Sequence, residues 1–201
     1  GMKTIAEVLD LKNSLLMNFE NALISQNEEE KERNLNIVII GGGPSGVEIA
    51  GALAEMNKYI LPKDYPELKN NRAKIYLIEA TDRVLNLMSE KSSEKAKKFL
   101  EKMNVNVMTN TIATGCNEKC VQLSTGNKIC TSLIIWAAGI KGNNVNGLSP
   151  ECFTKSNRII VDRYNKVKGY DNIFALGDIA FMTEDKYPKG HPQVAPVSIQ
   201  Q

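Results

Sequence analysis

Three glycines spaced G-x-G-x-x-G, Gly41, Gly43 and Gly46, sit where an apolar run stops and a helix-forming run begins. That setting suits the seating of a pyrophosphate. Gly41 permits a tight turn, Gly43 lets a phosphate approach the backbone, and Gly46 lets a helix pack close to the strand before it. Unpaired N–H groups at the helix start then face the negative charge. Alone, the glycine spacing is a weak signal; framed by strand and helix it points to a dinucleotide. A second group supports this. Glu79 closes the apolar segment Lys74 to Glu79. An acid at such a strand end accepts hydrogen bonds from the adenosine ribose and repels a 2′-phosphate. It favours NAD over NADP, although Arg83 is close enough in sequence to blur the discrimination.

Those residues need a scaffold. Asn36 to Ile40 reads as a strand covered on both faces by helices. Val47, Ala50, Gly51 and Ala54 recur at helical spacing and give the following helix a small-residue face. Between Asn57 and Ala73, Pro62, Pro66 and the pair Asn70-Asn71 rule out a continuous helix. An extended excursion there accounts for the long gap before Glu79, which exceeds the usual twenty or so residues. Ser89 to Met103 forms a second helix burying Ala96, Phe99, Leu100 and Met103, with Asn104 as a left-handed stop, and Val105 to Thr109 returns as a strand. Thr111 to Thr114, Cys120 to Ser124 and Lys128 to Thr131 are short strands with a turn at Thr125-Gly126-Asn127. They form a β-meander in place of a crossover helix. Ser132 to Ala138 is a central parallel strand ending at Gly139, which either flanks the ligand or is a simple loop glycine. The fold class is therefore α/β: a Rossmann-like three-layer dinucleotide-binding domain, residues 35–157, with a parallel sheet and a β-meander crossover.

Segments on either side differ in character. Residues 1–34 hold an amphipathic helix, Thr4 to Ser25, with Leu15, Leu16, Phe19, Ala22 and Leu23 on one face, then a charged run, Glu28 to Arg33, read as a solvated helix end or linker. Residues 158–201 carry two expected strands, Arg158 to Asp162 and Asn172 to Leu176, the second closed by Gly177-Asp178, and a helix beginning at Ala195. They read as part of a second domain.

Composition excludes several roles. Lys plus Arg 25 against Asp plus Glu 23, with no concentrated basic block, argues against a nucleic-acid partner. No apolar run reaches the roughly 18 residues that span a bilayer, so the segment reads as soluble and cytoplasmic. Cys116, Cys120, Cys130 and Cys152 include no C-x-x-C pair, which suggests neither a redox dithiol nor a metal site; they read as reduced and structural. Gly1 before Met2 resembles the scar of a removed tag.

Four motifs in order, Gly-Gly-Gly-Pro-Ser-Gly-Val-Glu at 41–48, Leu-Ile-Glu-Ala at 77–80, Trp-Ala-Ala-Gly-Ile-Lys-Gly-Asn at 136–143 and Asn-Ile-Phe-Ala-Leu-Gly-Asp at 172–178, resemble type II NADH dehydrogenases. These are two-dinucleotide-binding-domain flavoproteins of the pyridine nucleotide-disulfide oxidoreductase superfamily. The resemblance implies two cofactors, NAD(H) and FAD, with electrons passing from NADH through flavin to quinone. It implies that Gly41, Gly42, Gly43, Pro44, Ser45, Gly46 and Glu79 hold NADH. Glu48 then reaches the nicotinamide beside the flavin as the catalytic-end residue, unless it is a helix-surface carboxylate, and Ala138 with Gly139 lines the same end. Gly177 and Asp178 would bind FAD, and Gln200 would lie on the quinone side. Two departures qualify these assignments: no second G-x-G-x-x-G is present, and Pro196 stands where the family has the first glutamine of its quinone-side helix. The chain is thus expected to lack the first FAD-binding segment, to hold an incomplete FAD site, and to be inactive alone. The complete enzyme would sit peripherally on the cytoplasmic face of the inner membrane. Competing readings are a soluble FAD- and NADH-dependent reductase with a small-molecule acceptor, and a non-catalytic dinucleotide-binding module. His191, the only histidine, is a flavin-facing or a plain loop residue.

Overall fold

The computed structural model describes residues 4–70, 73–139, 141–188, 190–193 and 195–200. The chain divides into two compact units that meet in sequence between Ala138 and Gly139. This division falls earlier than the expected 157/158, because Leu148, Cys152 and Phe153 pack into the second unit's core with Ile159, Val161 and Val167. The N-terminal helices belong to the first unit.

Strand β1 (Asn36–Ile40) is buried along its whole length. It lies between two parallel neighbours in the order β3-β2-β1-β7, where β2 is Lys74–Ile78, β3 Val105–Met108 and β7 Leu133–Trp136. Ile37 and Ile39 face one way with Ile75, Leu77 and Leu100, and that side is covered by α1 (Ile5–Ile24), α3 (Pro44–Tyr59) and α5 (Glu90–Lys102). Val38 and Ile40 face the other way, onto Val121 and Leu123. These last belong to an antiparallel meander of β4 (Ala113–Cys116), β5 (Cys120–Leu123) and β6 (Lys128–Cys130). The third layer is therefore a small sheet, where the all-apolar strand suggests helices on both faces. Either cover satisfies the same requirement, since each fully buried Val or Ile contributes about 1.5–3 kcal/mol whatever shields it. Strand β7 pairs only with β1 among the described residues, so it is an edge and not a central strand.

Local chemistry sets the helix ends. Thr4 and Glu7 form a reciprocal capping box at the start of α1. The charged run expected as a linker is its own helix, α2 (Glu28–Leu35), because the Asn27 carboxamide caps Glu29 and Glu30. After α3 the chain is not extended: α4 (Leu61–Asp64) and a 3-10 turn at Pro66–Asn70 follow, with Pro62 and Pro66 in first-turn positions where no N–H is needed. Asn71 of the Asn70-Asn71 pair lies outside the described residues. Asn104 has φ +64° and ends α5 as expected. Phe99, expected inside, is 65% exposed; the inward face of α5 runs through Ser93, Ala96, Leu100 and Met103.

In the second unit, β8 (Ile159–Val161) pairs in parallel with β9 (Ala180–Met182). Asn172 to Leu176, expected as the partner strand, makes only an isolated bridge from Phe174 to Lys166. Its apolar side chains Phe174 and Leu176 are exposed. Gly177-Asp178 therefore opens the turn into β9 and does not close a strand. Helix α6 (Ala195–Gln200) forms as expected, while Gln201 and the side chain of Gln200 lie outside the described residues.

One further expectation fails. Cys120 and Cys130 are disulfide-bonded, not reduced. The hairpin register sets them directly opposite each other on β5 and β6, which sequence spacing alone does not reveal. Cys116 and Cys152 remain free, the first exposed and the second buried.

Candidate dinucleotide site

The parallel strands β1 and β2 end side by side, and the glycine turn fills the space beyond β1. Gly41 donates its N–H to the Ile78 carbonyl at 2.8 Å, and Ala137 donates to the Ile40 carbonyl at 2.8 Å. The turn is thus sewn to the ends of both neighbouring strands. Gly41 takes φ +113°, and a Cβ there would stand 2.7 Å from the Ala138 nitrogen, so glycine is required twice over. At Gly46 a Cβ would overlap the Gly41 carbonyl oxygen, which fixes how closely α3 crosses the turn. Ala50 and Ala54 continue that close approach along α3.

Glu79 is the centre of the arrangement. Its Oε2 accepts from the Gly42 N–H at 2.6 Å, and its Oε1 accepts from the Thr81 N–H and hydroxyl, both at 2.8 Å. A Cβ on Gly42 would come within 2.9 Å of the Glu79 Cβ, so the middle one of the three consecutive glycines makes room for the acid. Sequence reasoning placed Glu79 but missed this bond, 37 residues apart in sequence. It also missed Thr81 and the Leu85 N–H, which donates to the Gly42 carbonyl at 2.8 Å. A hydroxyl two residues after the acid is the one local signal that could have indicated the lock. A carboxylate accepts about four hydrogen bonds, and three are used within the protein. Thr81 Oγ also lies 2.9 Å from the Arg83 carbonyl, so its single hydrogen can turn away and release a second site. The carboxylate is therefore held in place with capacity left for one or two ligand hydroxyls.

Gly43 differs from its neighbours: a Cβ there would meet nothing within 4 Å. Open space beside that backbone is what an approaching pyrophosphate needs. No side chain caps α3, Pro44 occupies its first turn, and the first N–H groups of a helix have no partners within it. Those amides and the helix dipole favour an anion. Ser45 is exposed here.

Other anticipated residues are less enclosed. Glu48 is exposed on the second turn of α3 and forms no ion pair among the described residues. Ala138 is half-buried beside Gly41, its carbonyl accepting from the Trp136 indole N–H at 2.9 Å. Arg83, suspected of softening the discrimination, is engaged elsewhere: one guanidinium nitrogen lies 3.5 Å from Glu90 and another donates to the Asn86 carbonyl at 3.2 Å.

In the second unit Gly139 and Gly177 both take φ +73°. Asp178 is exposed, and its Oδ1 accepts from the Ser198 hydroxyl at 3.0 Å. Its carbonyl accepts from Arg158 Nε at 3.0 Å and Gln193 Nε2 at 3.2 Å. Arg158 is buried, donates also to the Ala180 carbonyl, and lies over the Phe181 ring. Burial pulls its guanidinium below the ordinary arginine range, and the nearby Asp178 charge opposes that shift. His191 is a loop residue, stacked 4.6 Å from Tyr187 and 3.4 Å from Glu184. Among the described residues no cluster of His, Cys, Asp and Glu could hold a metal ion, and no helix is long and apolar enough to cross a membrane.

The sequence and the fold have known counterparts. Type II NADH:quinone oxidoreductase NdhA of Mycobacterium tuberculosis is 32% identical over 209 residues, a match covering 100% of this chain and 43% of that protein. The external alternative NAD(P)H-ubiquinone oxidoreductase B3 of Arabidopsis thaliana mitochondria is 30% identical over 192 residues, covering 92% of this chain and 33% of that protein. The chain thus spans less than half the length of these relatives. Among solved structures, NDH2 of Plasmodium falciparum in complex with NADH superposes with a TM-score of 0.74 at 23% identity, over 90% of this chain and 39% of that one, which shows a shared fold. The sequence pattern of the pyridine nucleotide-disulphide oxidoreductases matches residues 5–201. Matched over residues 5–201, the chain belongs to the pyridine nucleotide-disulphide oxidoreductase family.

Proposed function

We propose that the first unit binds NADH, and that the chain is the dinucleotide-binding part of a type II NADH:quinone oxidoreductase, which passes electrons from NADH through FAD to quinone. The lock between Glu79 and the Gly42 amide carries this reading. It holds a negative charge at the position where an adenosine ribose would lie, accepting the hydroxyls of NADH and repelling the 2′-phosphate of NADPH. Gly41 to Gly46, including Gly42, Pro44 and Ser45, supplies the pyrophosphate seat. Glu48 and Ala138, with Gly139 next in sequence, are assigned to the nicotinamide end. The relatives named for NADH:quinone and ubiquinone oxidoreduction support the reaction.

The second unit contributes Gly177 and Asp178 toward FAD. An exposed carboxylate beside a left-handed glycine fits a ribitol hydroxyl, but no second glycine turn in this sequence offers a seat for the FAD pyrophosphate. The fit is incomplete. Quinone contact through Gln200 and peripheral attachment to a membrane belong to the same proposal. A small-molecule acceptor is the competing reading, favoured by Pro196 on α6 where the family has glutamine.

Isothermal titration of the chain with NADH tests the binding reading. A single saturable site is expected; no binding heat at millimolar NADH would overturn it. Steady-state turnover of the full-length protein with a quinone and with a soluble dye separates the acceptors.

A further inference from the structure

On the first unit a cleft of about 720 Å³ opens between α2 and the meander. Its size suits a small molecule. The Cys120–Cys130 disulfide forms part of its wall, with Asn36, Lys119, Lys128 and Glu29. Two features mark it as more than a surface fold. Asn36 is only 6% exposed, and its Nδ2 donates to the Cys130 carbonyl at 2.8 Å, which settles which amide atom is which. Its Oδ1 then accepts from no group among the described residues. A buried acceptor without a donor costs roughly 1–3 kcal/mol in a folded protein. The lining is also of mixed charge, since Lys119, Lys128 and Glu29 make no ion pairs among the described residues.

We propose that this cleft is a thiol–disulfide exchange site for a small zwitterionic thiol of the peptide class. Lys119 and Lys128 receive its carboxylates, and Glu29 receives its amide N–H or ammonium. Cys130 is half-buried and Cys120 buried, so the incoming thiolate attacks the Cys130 sulfur. The sulfur–sulfur bond breaks, its electron pair leaves on Cys120 as a thiolate, and Cys120 takes a proton from water. A second thiol molecule attacks the mixed disulfide, leaving Cys130 as a thiolate. Two thiols are oxidised to one disulfide and the cystine is reduced to two cysteines, so atoms and electrons balance. Cations near a leaving thiolate lower its basicity and speed its departure. The product is a meander whose strands β5 and β6 are joined by hydrogen bonds alone. The site is separate from the glycine turn and does not rest on the NADH reading.

The test uses the whole chain carrying Cys116→Ser, which removes the exposed bystander thiol. Reduced glutathione and the uncharged 2-mercaptoethanol are compared at equal thiolate concentration, following the mixed disulfide by intact-mass spectrometry and peptide mapping. Charge recognition predicts glutathione faster by roughly tenfold or more, an adduct on Cys130, and loss of that advantage in Lys119→Gln/Lys128→Gln with an unchanged rate for 2-mercaptoethanol. Equal rates for the two thiols overturn the proposal. So does an adduct on Cys120, or exchange seen only in denaturant. Far-UV circular dichroism of each variant confirms that the comparison is made on folded protein.

Discussion

Glu79 and Asp178 are both acids beside a glycine, yet the protein holds them in opposite ways. Three protein donors bind the Glu79 carboxylate, from Gly42 and Thr81. The Asp178 carboxylate receives one, from Ser198, while Arg158 and Gln193 hold its backbone carbonyl. In the first unit the charge is positioned before any ligand arrives. In the second the backbone is positioned and the charge is left exposed. A preorganised carboxylate loses little side-chain entropy on binding; Glu79 is held in that way and Asp178 is not.

This contrast can be broken at several points. The largest effect is expected at Gly46→Ala, where the new methyl overlaps the Gly41 carbonyl; urea denaturation should show a loss of about 3 kcal/mol or more, at the upper end for overpacking. Gly43→Ala, with open space at its Cβ, should leave stability within about 0.5 kcal/mol and weaken NADH at least tenfold. An unchanged affinity would remove Gly43 from the pyrophosphate seat. Next comes Arg158→Ala, which strips donors from the Asp178 and Ala180 carbonyls. Loss of about 2–3 kcal/mol should be confined to the second unit, speeding amide exchange in β9 and leaving β1 protected. Faster exchange in both units would mean that they do not unfold separately. Glu79→Gln keeps the shape but gives up charge-assisted bonds, and about 1–2 kcal/mol is expected. Asp178→Asn, at an exposed site, should change stability by about 0.5 kcal/mol or less; a loss as large as that of Glu79→Gln would erase the difference between the two acids.

What could be read from the sequence follows the range of the interactions. Strand β1, the turn after it, α5 with its Asn104 stop and the meander are set by local patterns, and all appear as expected. Glu79 was legible because a strand end and an acid are neighbours. Its bond to Gly42 was not, because that contact depends on two parallel strands aligning Ile40 with Ile78. The Cys120–Cys130 bridge was hidden for the same reason, being a consequence of hairpin register. In the second unit Asn172 to Leu176 was expected as a strand, but Ala180 to Met182 is the segment that pairs with β8. Phe99 shows the limit of reading one helix face: the inward face of α5 runs through Ser93, Ala96, Leu100 and Met103 and leaves Phe99 outside.

Glu79, fixed by Gly42, is proposed to select NADH. Calorimetric titration of the chain and of Glu79→Arg with NADH and NADPH tests it most directly. The parent should prefer NADH by roughly tenfold or more, equivalent to about 1.4 kcal/mol, and the arginine variant should lose or reverse that preference. Equal affinity of the parent chain for both dinucleotides would contradict it.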